Sequence, residues 1–179
     1  SGWTVYHSSL GAGQYLNLSS TAAAHTNSSI WNNTAPTSTV FSCGGASGNS
    51  FFDVNTTQIT YAWSPVSGYS SFGSYVGNGS SDGPMITTMF RPRWVMVKQS
   101  SASGEPWFIY DTARSDYNAA QIRLNATFSS SETNSSSVAI DILSNGFKLR
   151  QSDAGINASS ATYVYACFAE SPFAYSRAR

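Results

Sequence analysis

Ala139-Ile140-Asp141-Ile142-Leu143-Ser144-Asn145-Gly146-Phe147-Lys148-Leu149 is the stretch that decides the fold. Apolar residues alternate on both sides of an Asn-Gly pair. Alternation at a period of two marks a half-buried strand, and Asn-Gly tolerates the positive φ of a tight hairpin turn. The same signature recurs along the chain. Strands are expected at Trp3–Tyr6, Tyr15–Leu18, Thr39–Ser42 and Ile59–Trp63. The second half adds Phe72–Val76, Arg93–Lys98, Trp107–Tyr110, Gln121–Leu124, Val138–Leu143, Phe147–Arg150 and Thr162–Phe168. Only Thr21–His25 and Ser115–Gln121 have room for a helical turn or two. With 14% aromatic residues among abundant Ser, Thr, Asn and Gly, the chain reads as all-β, an antiparallel β-sandwich. Its 179 residues suffice to bury a sizeable core.

The chain also repeats itself. Trp3-Thr4-Val5-Tyr6 answers Trp107-Phe108-Ile109-Tyr110, and Tyr15-Leu16-Asn17-Leu18 answers Gln121-Ile122-Arg123-Leu124. Thr39-Val40-Phe41-Ser42 answers Asn145-Gly146-Phe147-Lys148. Last, Val54-Asn55 followed by Tyr61-Ala62-Trp63 answers Ile156-Asn157 followed by Ala166-Cys167-Phe168. Order, spacing and residue class agree. Residues 1–67 therefore read as a partial first sandwich, and 68–179 as a complete second one. The second copy is preceded by opening strands, Phe72–Val76 and Arg93–Lys98, that have no counterpart in the first. Either the sequence belongs to a longer protein, the favoured expectation, or a neighbour supplies the missing strands.

Charge is scarce. Only 10% of residues are Asp, Glu, Lys or Arg, against roughly 25% in an ordinary soluble domain. All nine basic residues lie at or after Arg91. Such a surface fits either an extracellular protein solubilised by hydroxyls and amides or a subunit covered by neighbours. No basic stripe exists to neutralise phosphates, so nucleic acid is not expected as a partner. No apolar run is long enough to span a membrane. Cys43 and Cys167 adjoin apolar runs and are expected as buried free thiols.

The segments Gly68 to Gly79, Asp82-Gly83-Pro84, Phe90 to Lys98, Tyr110 to Arg114, Phe147 to Arg150 and Tyr163 to Phe173 resemble a domain of phage structural proteins. In that family the unit is a concanavalin A-like, laminin-G-like sandwich, often in tandem in tail or tail-fibre proteins. The resemblance covers nearly the whole chain and is densest over 68–179. It implies a non-enzymatic virion protein, located in a tail or fibre. Its partners would be copies of itself and neighbouring virion proteins, with contact to host-surface polysaccharide. A head decoration or other extracellular structural protein of the same fold, without receptor contact, is the alternative.

Candidate chemistry is thin. A glycan hydrolase needs two carboxylates across a cleft. Asp111, Asp116, Asp141 and Glu170 show no pairing motif, and Asp111 stands where an ion pair with Arg114 is expected. His7 occupies the repeat position of Asp111, so the copies share no catalytic group there. A depolymerase would require Asp111 or Asp141 to meet a second carboxylate. Asp82 and Asp153 read as turn-stabilising aspartates rather than calcium ligands. No catalytic residue, metal or cofactor is expected. The most site-like cluster is Trp31-Asn32-Asn33, a loop Trp beside two amides that forms a possible sugar-stacking platform. The competing and heavier reading packs Trp31 over the sandwich edge. Trp3, Trp63, Trp94 and Trp107 are expected in the core, and Arg91 and Arg93 are expected to lock a loop.

Overall fold

A computed structural model describes residues 2–44 and 57–171. Val54-Asn55 and Pro172-Phe173, quoted above, lie outside them. The chain is an all-β, antiparallel sandwich in which a further sheet covers one outer face. A six-stranded sheet in the order β4-β12-β6-β7-β8-β9 forms the middle layer. It comprises β4 (Ser70–Val76), β6 (Pro92–Gln99), β7 (Phe108–Asp111), β8 (Ile122–Asn125), β9 (Thr133–Asn134) and β12 (Thr162–Ala169). A three-stranded sheet, β5 (Met85–Thr87), β11 (Gly146–Leu149) and β10 (Ile140–Leu143), packs on its inner face. Strands β1 (Thr4–Val5), β2 (Gln14–Asn17) and β3 (His25–Thr26) make a third sheet on the other side.

Alternation explains both interfaces. Along β12, Tyr163, Tyr165 and Cys167 point inward to Val95, Val97, Phe108 and Tyr110 and to Ile140, Ile142, Phe147 and Leu149 of the facing sheet. The intervening Val164 points outward, where it packs with Leu16 and Trp107, flanked by Val5, Leu18, Met96 and Ala126. Middle-layer strands with apolar residues on both faces are those a sheet needs when it is covered twice. Polar cross-links hold the outer interface in register. The Trp107 Nε1–H donates to the Asn17 carbonyl at 2.9 Å. The His7 Nε2 lies 3.1 Å from the Tyr165 carbonyl, and its Nδ1 accepts from the Ser9 N–H at 3.2 Å, an arrangement that requires neutral imidazole. Burial pulls the His7 pKa down accordingly.

The hairpin of the opening stretch is present, with its turn one residue earlier than expected. Leu143 pairs with Gly146, so Ser144-Asn145 form the turn and Gly146 opens β11. A Cβ on Gly146 would lie 2.0 Å from the Ile86 carbonyl oxygen of β5. The glycine thus serves close strand approach rather than the turn.

The repeat is written in backbone hydrogen bonds. β1-β2-β3 and β7-β8-β9 are the same antiparallel meander: Thr4 pairs with Asn17 as Phe108 pairs with Asn125. Gln14 pairs with Thr26 as Ile122 pairs with Asn134. The Trp3 carbonyl accepts from Leu18 at 2.9 Å, and the Trp107 carbonyl from Ala126 at 2.9 Å. The Gly13 carbonyl accepts from Asn27 at 2.9 Å, and that of Gln121 from Ser135 at 3.1 Å. This register corrects the sequence alignment, because Leu16-Asn17 stand on Leu124-Asn125, two residues beyond the expected match. The two meanders lie back to back across the outer interface.

Other expectations change. Thr39–Ser42 and Ile59–Trp63 form no strand, and neither Thr21–His25 nor Ser115–Gln121 is helical; among the described residues the one α-helix is the short α1, Ala154–Asn157. The strand expected over Val138–Leu143 begins at Ile140, after a 3-10 turn at Ser136–Val138. β11 gains its ladder from β10 and β5, and its counterpart Thr39–Ser42 has no such neighbours among the described residues. Among the described residues up to 67, the named strands form one sheet laid on the second copy. Cys167 is a buried free thiol as expected, whereas Cys43 is free but exposed. Among the described residues no helix is long and apolar enough to cross a membrane.

Candidate functional site

Of the two readings of Trp31-Asn32-Asn33, packing holds and the sugar platform does not. Trp31 is buried, its Nε1–H donates to the Gln14 carbonyl at 3.0 Å, and its ring meets Tyr6 edge-on at 5.6 Å. Asn32 and Asn33 are exposed at left-handed φ of 50° and 46°, a conformation Asn tolerates at a turn. The three residues make a packed corner, with no aromatic face turned to solvent.

The exposed aromatics lie elsewhere. Phe168, on the outer face of β12, is surrounded by four rings: Trp63 at 6.3 Å, Tyr69 at 6.0 Å, Phe72 at 5.8 Å and Trp94 at 5.6 Å. Trp63 stacks on Tyr61 at 6.1 Å, and Tyr61 meets Trp3 at 5.8 Å. The result is a continuous seven-ring strip. Trp3 is 50% exposed, Tyr61 64% and Trp63 64%, so two of the four tryptophans expected in the core stand in solvent. Trp94 is half-buried, and Trp107 alone of the four is buried.

At the Trp94 end the strip runs into an open cleft of about 490 Å³ lined by Arg93, Trp94, Asp111, Ala113, Arg114, Phe168 and Ala169. Arg114 bridges Asp111 and Glu132, each at 2.9 Å. The Asp111 Oδ1 also accepts the N–H groups of Ala113 and Arg114, which fixes the turn after β7. Arg91 pairs with Glu170 at 2.6 Å and donates to the Ile142 carbonyl at 3.1 Å, locking the entry to β6 as expected. Arg93, expected to do the same, is exposed and makes no ion pair among the described residues. Asp141 pairs with Arg150 at 3.3 Å, and Asp153 with Arg123 at 2.9 Å while it caps α1. Asp82 pairs with Lys148 at 2.8 Å. Among the described residues no group of three or more His, Cys, Asp or Glu side chains could hold a metal ion.

The family model of the domain of unknown function DUF7483 matches residues 1–172. The chain belongs to this family. The DUF7483 unit thus spans both copies of the meander rather than the second alone. No curated protein and no solved structure matches the chain.

One further group in this DUF7483 chain titrates unusually. Lys98 lies on the outer face of β6, fully buried beneath the first meander, with Nζ donating to the carbonyls of Gln99 at 2.7 Å and Thr21 at 3.4 Å. Burial pulls its pKa down to about 8, opposed by the charge of Glu105. Unfolded, the amine keeps its proton to about 10.4, so between the two values the unfolded state binds more protons. Stability must then rise as pH increases through 8, by up to about 1.4 kcal/mol per pH unit, and fall as pH drops back through it. Urea midpoints at pH 7.5 and 9.5 should show this gain in the wild type and not in Lys98→Met. Equal pH slopes in the two proteins would refute it.

Proposed function

We propose that the chain is a non-enzymatic structural component of a phage virion, in a tail or tail fibre, that works by packing against copies of itself and neighbouring virion proteins. The observation that carries this reading is the exposed aromatic strip from Trp3 through Tyr61 and Trp63 to Phe168. Contiguous apolar patches on soluble proteins mark contact sites, and interface cores are rich in Trp and Tyr and poor in Lys and Glu. The part of the chain that supplies the first three rings contains no Lys or Arg, so little charge opposes association there. The concanavalin A-like topology and the virion location rest on the family resemblance, with which the all-β sandwich is in keeping. The non-enzymatic reading is supported by Asp111, Asp141 and Glu170, each engaged by an arginine, with the Arg114 guanidinium held between Asp111 and Glu132.

Antibodies to the chain should label virions along the tail, and incubation with host polysaccharide should release no reducing ends. Labelling confined to the head, or steady release of reducing ends, would sink the reading. Purified chain should sediment as an oligomer, and Trp63→Ser should weaken that association at least tenfold. Its melting temperature should stay within a few degrees of wild type, because the ring is largely solvated. A chain that sediments as a monomer at every concentration would count against assembly through this face.

Contact with host-surface polysaccharide is a second reading, favoured by the cleft. Trp94 and Phe168 line it, with the charged side chains of Arg93, Arg114 and Asp111 beside them. Competition of host adsorption by the purified chain is the corresponding assay.

A further inference from the structure

We infer that His7 is an acid-sensitive latch on the outer interface, whose protonation releases the first meander from the middle sheet. His7 lies two residues after β1, is buried, and has both ring nitrogens engaged. Its Nε2–H donates to the Tyr165 carbonyl of β12 at 3.1 Å, across the interface. Its Nδ1 accepts the Ser9 N–H at 3.2 Å. The His7 carbonyl closes the same turn by accepting from Leu10 at 3.0 Å and Gly11 at 3.2 Å. Leu10 in turn packs on the cluster of Leu16, Trp107 and Val164. One ring thus holds the interface and the turn that feeds a side chain into it.

Protonation leaves the bond to Tyr165 in place but makes Nδ1 a donor, set against the Ser9 N–H, another donor. The new charge also meets no carboxylate. Residues 1–52 contain no Asp, Glu, Lys or Arg, and the meander's other ionisable side chains are Tyr6, Tyr15 and His25. β4 and β12 carry no charged residue, and their ionisable Tyr75, Tyr163, Tyr165 and Cys167 pack in the inner core. β6 offers only the cations Arg93 and Lys98, which oppose a further positive charge. On β7 and β8, Asp111 is held by Arg114, and Arg123 by Asp153. Glu105 acts on Lys98. Burial therefore dominates at His7 and holds its pKa below the ordinary value.

Once the meander lifts, His7 meets water and titrates near 6.5. Between that value and the lower one in place, the lifted state binds more protons. Falling pH must then favour lifting, by up to about tenfold in the opening equilibrium per pH unit. Lys98 is already charged in this window, so the two groups act over separate pH ranges. The inner core does not contain His7 and should stay closed. Lifting uncovers the apolar outer face of the middle sheet at Met96, Trp107 and Val164.

Two backbone bonds that cross the interface report its opening. The Ala24 N–H donates to the Ser100 carbonyl at 2.9 Å, and the Gly104 N–H to the Thr21 carbonyl at 3.0 Å. Hydrogen exchange at these amides, corrected for intrinsic pH dependence, should accelerate at least about threefold from pH 6.5 to 5. The Ile140 and Leu149 amides, bonded to Ala120 and Pro84, should not accelerate. The midpoint should coincide with the titration of the His7 ring followed by NMR. In His7→Gln the side chain keeps a donor for Tyr165 but gains no proton, so Ala24 and Gly104 should lose their acid response. His25→Gln, on exposed β3, should respond as the wild type does. Unchanged exchange at Ala24 and Gly104, equal acceleration at Ile140 and Leu149, or the same response in His7→Gln would each overturn the inference. If the Gln variant fails to fold, the wild type decides alone, and a midpoint displaced from the His7 titration overturns it.

Discussion

Trp107→Ala is expected to destabilise the protein by about 3–5 kcal/mol, the largest effect of any single truncation proposed for this chain. The ring is almost fully buried where the first meander meets the middle sheet, against Leu16 and Val164. Truncation empties the centre of that small cluster. It also strands the Asn17 carbonyl, which accepts the indole N–H at 2.9 Å. The inner core does not contain Trp107, so the loss should be uneven. Amide exchange should quicken most in β1 and β2, at Val5, Leu16 and Leu18, and least in β10 and β11. Urea denaturation gives the total and exchange gives its distribution. A loss below about 1 kcal/mol, or a uniform rise in exchange, would mean that Trp107 does not pin the layers.

The second large effect is expected at Asn157. This side chain is fully buried at the end of α1. Its Oδ1 accepts the Asn78 N–H at 2.9 Å. Its Nδ2 faces three acceptors: the Ser80 carbonyl at 2.8 Å, the Gln151 carbonyl at 2.9 Å and the Asn78 Oδ1 at 3.1 Å. One amide therefore ties the 77–83 loop to the turn before β12. Asn157→Ala leaves those groups without their partner, at a cost of about 3 kcal/mol. Asn157→Asp should cost more at pH 7, because it keeps the shape but sets a carboxylate oxygen against three oxygen acceptors. Like charge density and burial both raise such a carboxyl's pKa. The folded state then holds its proton to higher pH than the unfolded state does. The Asp variant should accordingly recover stability as pH falls toward 5, while the Ala variant should not. Denaturation midpoints at pH 5 and 7 decide it, and an Asp variant as stable as wild type at pH 7 would rule out the hub role.

The long strands of the middle sheet were legible because their composition and their neighbours agree. Arg93–Lys98 and Thr162–Phe168 carry enough alternating apolar residues to announce both faces, and β6 and β12 extend each by only a residue or two. β3 and β9 were not legible. His25-Thr26 and Thr133-Asn134 are polar and exposed, and they are strands only because β2 and β8 present a ladder to them. The reverse error befell Ile59–Trp63, which has strand-like composition and no partner to pair with among the described residues. Trp31-Asn32-Asn33 left two readings open for a physical reason, and packing is the one that holds. A loop Trp beside two Asn looks the same in sequence whether its ring faces water or, as here, lies over Gln14 and Tyr6.

The back-to-back meanders leave the molecule with two seams of unequal grain. The inner seam is broad and dominated by apolar contact, which yields gradually and re-forms in many registers. The outer seam is narrow and stitched by directional bonds, from Trp107 to Asn17, His7 to Tyr165 and Lys98 to Thr21. Loaded in shear, the outer seam must break those stitches nearly together before either sheet loses a strand. A particle built from such units would give way first between layers, with each sandwich left whole to close again.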